Sequence, residues 1–224
     1  YNAGLAAVNS AQYNEALKYF EKCAEMKYLG VTPYFNMSEA YLSLGDTAKA
    51  ESVLVGLPEK FPENKNVILN LIDLYIKSNK NAEAQKYIKV AKESDPNNYS
   101  LYFAAGIIYL NENKYDEAIP ELIKSIEIKG DLYDTQYGLG AAYINKAADM
   151  FKAANEIMDV KKYSDAIDQA NAVYAKALPY MEKALELKPD DIYTMRSLQE
   201  LYYRLKQTDK YTAIKAKLDA MDKK

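Results

Sequence analysis

Alanine recurs in this sequence with a step of 34 residues, and this period constrains the fold more than any other feature. The series, here called the alanine ladder, is Ala16, Ala50, Ala84 and Ala118. Two further series keep the same step: Phe20, Leu54, Ile88 and Leu122, and Cys23, Leu57, Ala91 and Ser125. Several positions that repeat in register indicate one structural unit, copied along the chain and stacked on its neighbours.

Within each unit, apolar residues recur at spacings of three and four on both sides of a short polar turn. Two such turns are LGDT at 44–47 and NENK at 111–114, and Pro or Gly closes units at Pro62, Pro96 and Gly130. This pattern is typical of two amphipathic helices per unit. Small residues let the paired helices approach, and bulky ones fill the groove of the next pair. The sequence therefore predicts an all-α helical solenoid.

The repeating unit resembles the tetratricopeptide repeat family. The residues that carry the resemblance are Gly106, Tyr109, Tyr115, Ala118 and Ser125, followed by Gly140, Tyr143, Ala177, Ala184 and Pro189. The resemblance covers nearly the whole chain. It implies a right-handed solenoid of about five and a half helix pairs. It also implies a non-enzymatic scaffold that holds a peptide or helix of a partner protein.

The repeat register predicts a single domain over residues 1–224. Its units are 1–30, 31–64, 65–98, 99–132 and 133–191, followed by a capping pair at 192–221.

The alanine ladder is interrupted after Ala118, because its next member is Ala177. The 25 additional residues lie between 144 and 176, are rich in alanine and contain neither Gly nor Pro. With no helix breaker in either limb, they predict one extended antiparallel helical hairpin that turns at 160–164, with Ser164 as the N-cap. The alternative is a separate helix pair folded back onto the stack.

In the family that the chain resembles, the first helices of successive units line a concave face. The resemblance therefore assigns a partner-binding groove to Leu5, Phe35, Glu39, Leu69, Asp73, Phe103, Ile107 and Tyr137. Because these residues are mostly apolar, we expect the groove to take an amphipathic helix or an extended apolar segment. The alternative is that they only pack between adjacent first helices. The insertion at 145–176, here called the arm, is a second candidate for the binding surface.

Composition excludes several classes of function. The chain has no histidine and one cysteine, Cys23, so histidine-dependent nucleophiles and histidine metal sites are impossible. No catalytic, cofactor or metal motif is present, and we expect no enzyme activity and no cofactor. A net charge of -3 argues against a nucleic-acid partner. The 22 tyrosines favour an alternative function, in which a bacterial envelope module binds glycans.

Localisation is predicted only by resemblance. Repeat proteins with a stretch like ALPYMEKALEL are similar to exported bacterial envelope proteins, and the scarcity of Arg beside Lys is typical of a bacterial source. The periplasm or cell envelope is thus the expectation, with the cytoplasm as the alternative. Because Tyr1 falls inside the expected first helix, we expect further residues before it. No apolar run reaches the ~20 residues that a membrane span requires.

Overall fold

The computed structural model describes residues 1–221, over which the chain forms thirteen helices and no strand. Two compact units divide the chain, Tyr1–Pro96 and Asn97–Lys224. The prediction of an all-α solenoid built from helix pairs is confirmed. The single-domain boundary of 1–224 stays a prediction.

The first unit contains three helix pairs and one short helix. In order they are α1 (Asn2–Asn9), α2 (Tyr13–Glu25), α3 (Thr32–Ser43), α4 (Thr47–Val55), the short α5 (Leu57–Lys60), α6 (Asn66–Lys77) and α7 (Asn81–Ser94). The second unit also contains three pairs. They are α8 (Tyr99–Asn111), α9 (Tyr115–Ile128), α10 (Tyr133–Ala154), α11 (Val160–Leu187), α12 (Ile192–Arg204) and α13 (Thr208–Met221).

The alanine ladder marks the contact between the two helices in each of the first five pairs. Ala16, Ala50, Ala84, Ala118 and Ala177 each have 0% of their surface exposed. The facing helix carries small residues at these contacts: a Cβ built on Gly106 would lie 2.5 Å from Leu122, and one on Gly140 would lie 2.8 Å from Met181. A side chain larger than hydrogen would therefore force these helices apart.

The second helix of the second repeat differs from the others, because it is broken. Helix α4 ends at Val55, and the short α5 resumes at Leu57 after Gly56. Pro58 accounts for the break, because it has no N–H to continue the helical hydrogen bonds of α4. Leu57 nevertheless remains in the core at 3% exposure.

Five of the turns between paired helices share one backbone conformation. A residue with positive φ stands at Ala11 (55°), Gly45 (78°), Asn79 (55°), Asn113 (57°) and Lys206 (57°). In each turn the next N–H donates to a carbonyl five residues back, as from Asp46 to Tyr41 at 2.9 Å. This is the Schellman ending of a helix. The conformation thus repeats with the sequence period, and only the α10–α11 turn lacks it among the paired helices.

The extended hairpin is confirmed, but the position predicted for its turn is wrong. Helices α10 and α11 are 22 and 28 residues long, and they are joined at 155–159 instead of 160–164. Asp159 is the N-cap, since its carboxylate accepts a hydrogen bond from the N–H of Lys162 at 2.8 Å. Ser164 lies inside α11. Ala154 and Ala170 are 1% and 0% exposed, so the two helices pack closely through alanine.

The base of the arm belongs to the hydrophobic core of the second unit. Ala147 and Tyr174 lie in one cluster with Leu198 of α12, and they are only 0% and 1% exposed. The guanidinium of Arg204 lies 4.7 Å from the centre of the Tyr174 ring and 5.1 Å from that of Phe151. Only the distal half of the arm therefore extends beyond the repeat core.

Candidate partner-binding surface

In the first unit, the predicted groove residues lie on α1, α3 and α6 and differ in exposure. Leu5 is 37% exposed, whereas Phe35 and Leu69 are half-buried. Glu39 and Asp73 are exposed to a larger extent, at 55% and 52% of their side chains. The apolar groove residues of this unit are therefore partly accessible, and the two acidic side chains are exposed to solvent.

Glu39 and Asp73 share a single lysine. The Lys77 ammonium lies 2.9 Å from the Glu39 carboxylate and 2.7 Å from the Asp73 carboxylate, which connects α3 to α6. Partial burial acts to lower the pKa of Lys77, but hydrogen bonds to Asp73 and Glu39 outweigh it, so this pKa lies above its ordinary value. All three side chains are about half exposed, and ion pairs of this kind contribute about 0–1 kcal/mol. A solvated pair of carboxylates that shares one ammonium group does not resemble an acid–base site.

In the second unit, Phe103 and Ile107 lie one turn apart on α8 and are half-buried. Phe103 packs against the cluster of Leu122 and Leu139. Ile107 faces Gly138 of α10, where a built Cβ would lie 3.6 Å from its Cδ1. These side chains thus combine a packing role between first helices with a remaining apolar surface.

Tyr137 is the third predicted groove residue of the second unit. It is half-buried on α10, and its ring stacks on that of Tyr133 with centroids 5.8 Å apart. Its other neighbours belong to the core cluster that contains Tyr174. Tyr137 therefore packs against the core and also occupies a predicted groove position.

Two tyrosines of the repeat pattern, Tyr75 and Tyr202, are fixed by hydrogen bonds in the interior. The Tyr75 hydroxyl donates to Glu51 at 3.1 Å, and the Lys80 ammonium lies 2.6 Å from the same carboxylate. Burial and the bond to Glu51 raise the pKa of Tyr75 above its ordinary range. Tyr202 donates to Glu182 at 3.0 Å in the second unit. Such tyrosines are not available as binding platforms.

A polar network joins the starts of α10 and α12. The Tyr133 and Thr194 hydroxyl oxygens lie 3.1 Å apart, and the Thr194 hydroxyl and N–H each donate to Asp191 at 2.7 Å. Burial raises the pKa of Tyr133 to about 12. Burial also acts to raise the pKa of Asp191, but the hydrogen bonds from Thr194 outweigh it and lower that pKa. The network is structural, since Thr194 is 0% exposed.

An open pocket of about 580 Å³ lies between α12 and α13. Arg196, Glu200, Tyr203 and Tyr211 line it, and the two tyrosine rings are 5.9 Å apart. Tyr203 is 72% exposed. The repeat register places Arg196, Glu200 and Tyr203 at groove-facing positions of the last pair, which departs from the small residues of the ladder.

The side chains and helices of residues 1–221 bear on metal and membrane binding. No group of three or more Cys, Asp or Glu side chains is arranged there to hold a metal ion. None of the helices described is both long enough and apolar enough to cross a bilayer.

Several solved structures are similar to this chain at low sequence identity. TTC0263, a thermophilic tetratricopeptide repeat protein of Thermus thermophilus, has a TM-score of 0.63 at 16% identity over 89% of this chain and 95% of that one. MamA of Desulfovibrio magneticus RS-1 has a TM-score of 0.57 at 16% identity, over 85% and 94%. The human IFIT1 dimer with m7Gppp-AAAA has a TM-score of 0.62 at 18% identity, over 93% and 46%. At these identities the similarity shows the fold alone.

Family models agree with the repeat register. Residues 69–135 match one model of the tetratricopeptide repeat, and residues 1–28 and 31–55 match another. A search of the curated proteins gives no match. The matched segments cover more than half of the chain, and they contain the ladder positions from Ala16 to Ala118. This chain therefore belongs to the tetratricopeptide repeat family.

Proposed function

We propose that this protein is a non-enzymatic scaffold that binds a peptide or helix of a partner protein along an apolar groove on its first helices. The observation that carries the proposal is the row formed by Phe103, Ile107 and Tyr137 in the second unit, which is apolar and only half-buried. In the first unit, Leu5, Phe35 and Leu69 are at the corresponding repeat positions, and Glu39 and Asp73 are the polar members there.

The energetics favour an apolar ligand over a charged one. Full burial of a side chain such as Ile contributes about 1.5–3 kcal/mol, and a half-buried one retains about half of that for a partner. The Lys77 cluster already pairs its charges, so it offers little to an incoming carboxylate. Affinity should therefore change little with salt.

The test compares two isoleucines of one repeat. Ile107 on α8 and Ile119 on α9 are both half-buried, but only Ile107 is at a groove position. After a pull-down and mass spectrometry identify a partner, Ile107→Ala should weaken its binding about three- to tenfold. Ile119→Ala should lower the melting temperature similarly and leave binding intact. Equal affinities for the two variants would contradict the groove.

Glycan binding is the second candidate, and the pocket between α12 and α13 favours it. Tyr203 offers an exposed ring face there, and Arg196 and Glu200 offer hydrogen-bonding groups beside it. Such a combination of an aromatic face and polar groups suits a ligand with both apolar and hydroxylated faces. A glycan array with the protein and with Tyr203→Ala tests it: signals that persist in the variant count against this pocket.

The expected location in a bacterial envelope also remains a proposal. It is supported only by the resemblance noted for the stretch that ends at Leu187. Fractionation of the source cells, followed by immunodetection, tests it. A purely cytoplasmic signal would contradict it.

A further inference from the structure

Arginine is rare in this chain: of its 29 basic residues, only Arg196 and Arg204 are arginines, and both lie on α12. The planar guanidinium of Arg204 lies over the rings of Phe151 and Tyr174. It also pairs with Glu200, whose carboxylate is 2.8 Å away. Arg196 is exposed and has no hydrogen bond, ion pair or ring contact within residues 1–221. Its planar group of donors is therefore free to bind a ligand.

Arg196 lines one wall of the pocket between α12 and α13, together with Gln199 and Tyr203. Their spacings of three and four residues place the three side chains on the same face of α12. The other wall is formed by α13, where Tyr211 and Asp219 line the pocket. The two tyrosine rings are inclined at 50° to each other. The pocket therefore combines an aromatic surface with a charged group on each wall.

The charges of the pocket balance, but Arg196 and Asp219 do not neutralise each other. The Glu200 carboxylate is already paired with Arg204. Asp219 is exposed and, like Arg196, makes no ion pair or hydrogen bond in the described part of the chain. A ligand with a single charge would be attracted by one of these two side chains and repelled by the other. A ligand with one negative and one positive group complements both.

We propose that this pocket binds a sugar that carries both a carboxylate and an amine. The carboxylate pairs with the Arg196 guanidinium, whose fork suits two parallel hydrogen bonds to one carboxylate. The protonated amine pairs with the Asp219 carboxylate. A face of the sugar ring lies against the ring of Tyr203, which is 72% exposed. This inference rests on glycan binding as the function of the pocket, and it specifies which glycans the pocket selects.

Four monosaccharides with the same pyranose ring separate the contacts. Glucose has neither charge, glucosamine has the amine, glucuronic acid has the carboxylate, and muramic acid has both. In an NMR titration of the full chain at low salt, muramic acid should bind about tenfold more tightly than glucose. The other two should be intermediate, since each exposed ion pair contributes about three- to fivefold. Raising the salt concentration should reduce these differences, because both ion pairs are exposed to solvent.

Variants assign each contact to one side chain. Arg196→Gln should lower the affinity for muramic acid to that for glucosamine, and Asp219→Asn should lower it to that for glucuronic acid. Arg196→Lys keeps the charge without the planar fork, so it should lose part of the affinity. Tyr203→Ala should weaken the binding of all four sugars. Tyr193→Ala is the matched control, because Tyr193 is 73% exposed on the same helix and does not line the pocket; it should change none of the affinities.

The possible failures can be told apart. Equal affinities for the four sugars would overturn the selectivity and leave glycan binding by this pocket intact. If none of the sugars binds, both the selectivity and glycan binding are refuted. Alanine carries both charges without a sugar ring, so binding of alanine as tight as that of muramic acid would also overturn the proposal. The proposal fails as well if Arg196→Gln and Asp219→Asn leave the order of the four affinities unchanged.

Discussion

The turns between paired helices allow a sharp test, because Ala11 and Gly45 occupy the same repeat position. Both have positive φ, at 55° and 78°. An L-residue in this conformation costs about 1–2 kcal/mol. Glycine avoids that cost, but it lowers the free energy of unfolding by about 0.4–1 kcal/mol because the unfolded chain is more flexible at a glycine. Gly45→Ala should therefore destabilise the protein by about 0.5–1 kcal/mol, and Ala11→Gly should stabilise it by a similar amount.

Packing does not complicate the first change, since a Cβ built on Gly45 meets no atom within 4 Å. Gly56 provides the control. Its surroundings are equally open, but its φ is -83°, so alanine fits there without strain. Gly56→Ala should stabilise the protein by about 0.4–1 kcal/mol. The two Gly→Ala changes thus remove the same residue type from one compact unit and should have opposite signs.

The assay is urea unfolding at about 25 °C, monitored by circular dichroism. The slope m of the free energy of unfolding against urea concentration is compared among the variants. An unchanged m shows that only stability has changed. If Gly45→Ala and Gly56→Ala shift the midpoint in the same direction, the backbone conformation of the turn is not what decides these energies. The same conclusion would follow if Ala11→Gly destabilised the protein.

Two further predictions concern the second unit. Replacing 152–169 by a short polar turn should leave a folded unit with cooperative melting. Deleting 146–174 should lower the free energy of unfolding by several kcal/mol, because core residues at the base of the arm are removed. Equal melting temperatures of the two variants would refute the assignment of the base to the core. Asp191 has a lowered pKa in the folded protein, so its contribution is present above its ordinary value of 3.8 and is lost as the pH falls through the lower folded value. Asp191→Asn should therefore flatten the loss of stability below about pH 4, measured by thermal melts across pH, and an unchanged acid slope would contradict this.

The sequence was most informative where one physical requirement repeats. Each ladder alanine is needed because two helices approach closely there, so the period predicted both the helix pairs and their buried contacts. The turn of the arm was not predictable in this way. Asp159 and Ser164 are both good N-caps, and their local preferences are similar. The choice between them depends on the register of the two long helices, in which Ala154 and Ala170 become buried.

The turn conformation was predictable only in part. Gly45, Asn79 and Asn113 are residue types that adopt positive φ readily, but Ala11 and Lys206 are not, so no local signal marks those two turns.

The groove was also predictable only in part. The repeat register and the residue types predicted apolar side chains at Phe103 and Ile107, which are half-buried in the structure. The two ion pairs of Lys77 were not predictable, because they depend on the distance between α3 and α6. The assignment of the groove to a partner stays a prediction.

The close alanine packing of the arm has a consequence for how its length can vary. An antiparallel pair of helices with one repeating contact can gain or lose turns at its far end while the base keeps its neighbours. Adding about four residues to each limb would move the far end of the arm outward by ~6 Å. The arm is in this sense a spacer with a length that is set by residue count. Related repeat proteins could tune the reach of such a spacer by insertion alone, without redesigning the repeats that support it.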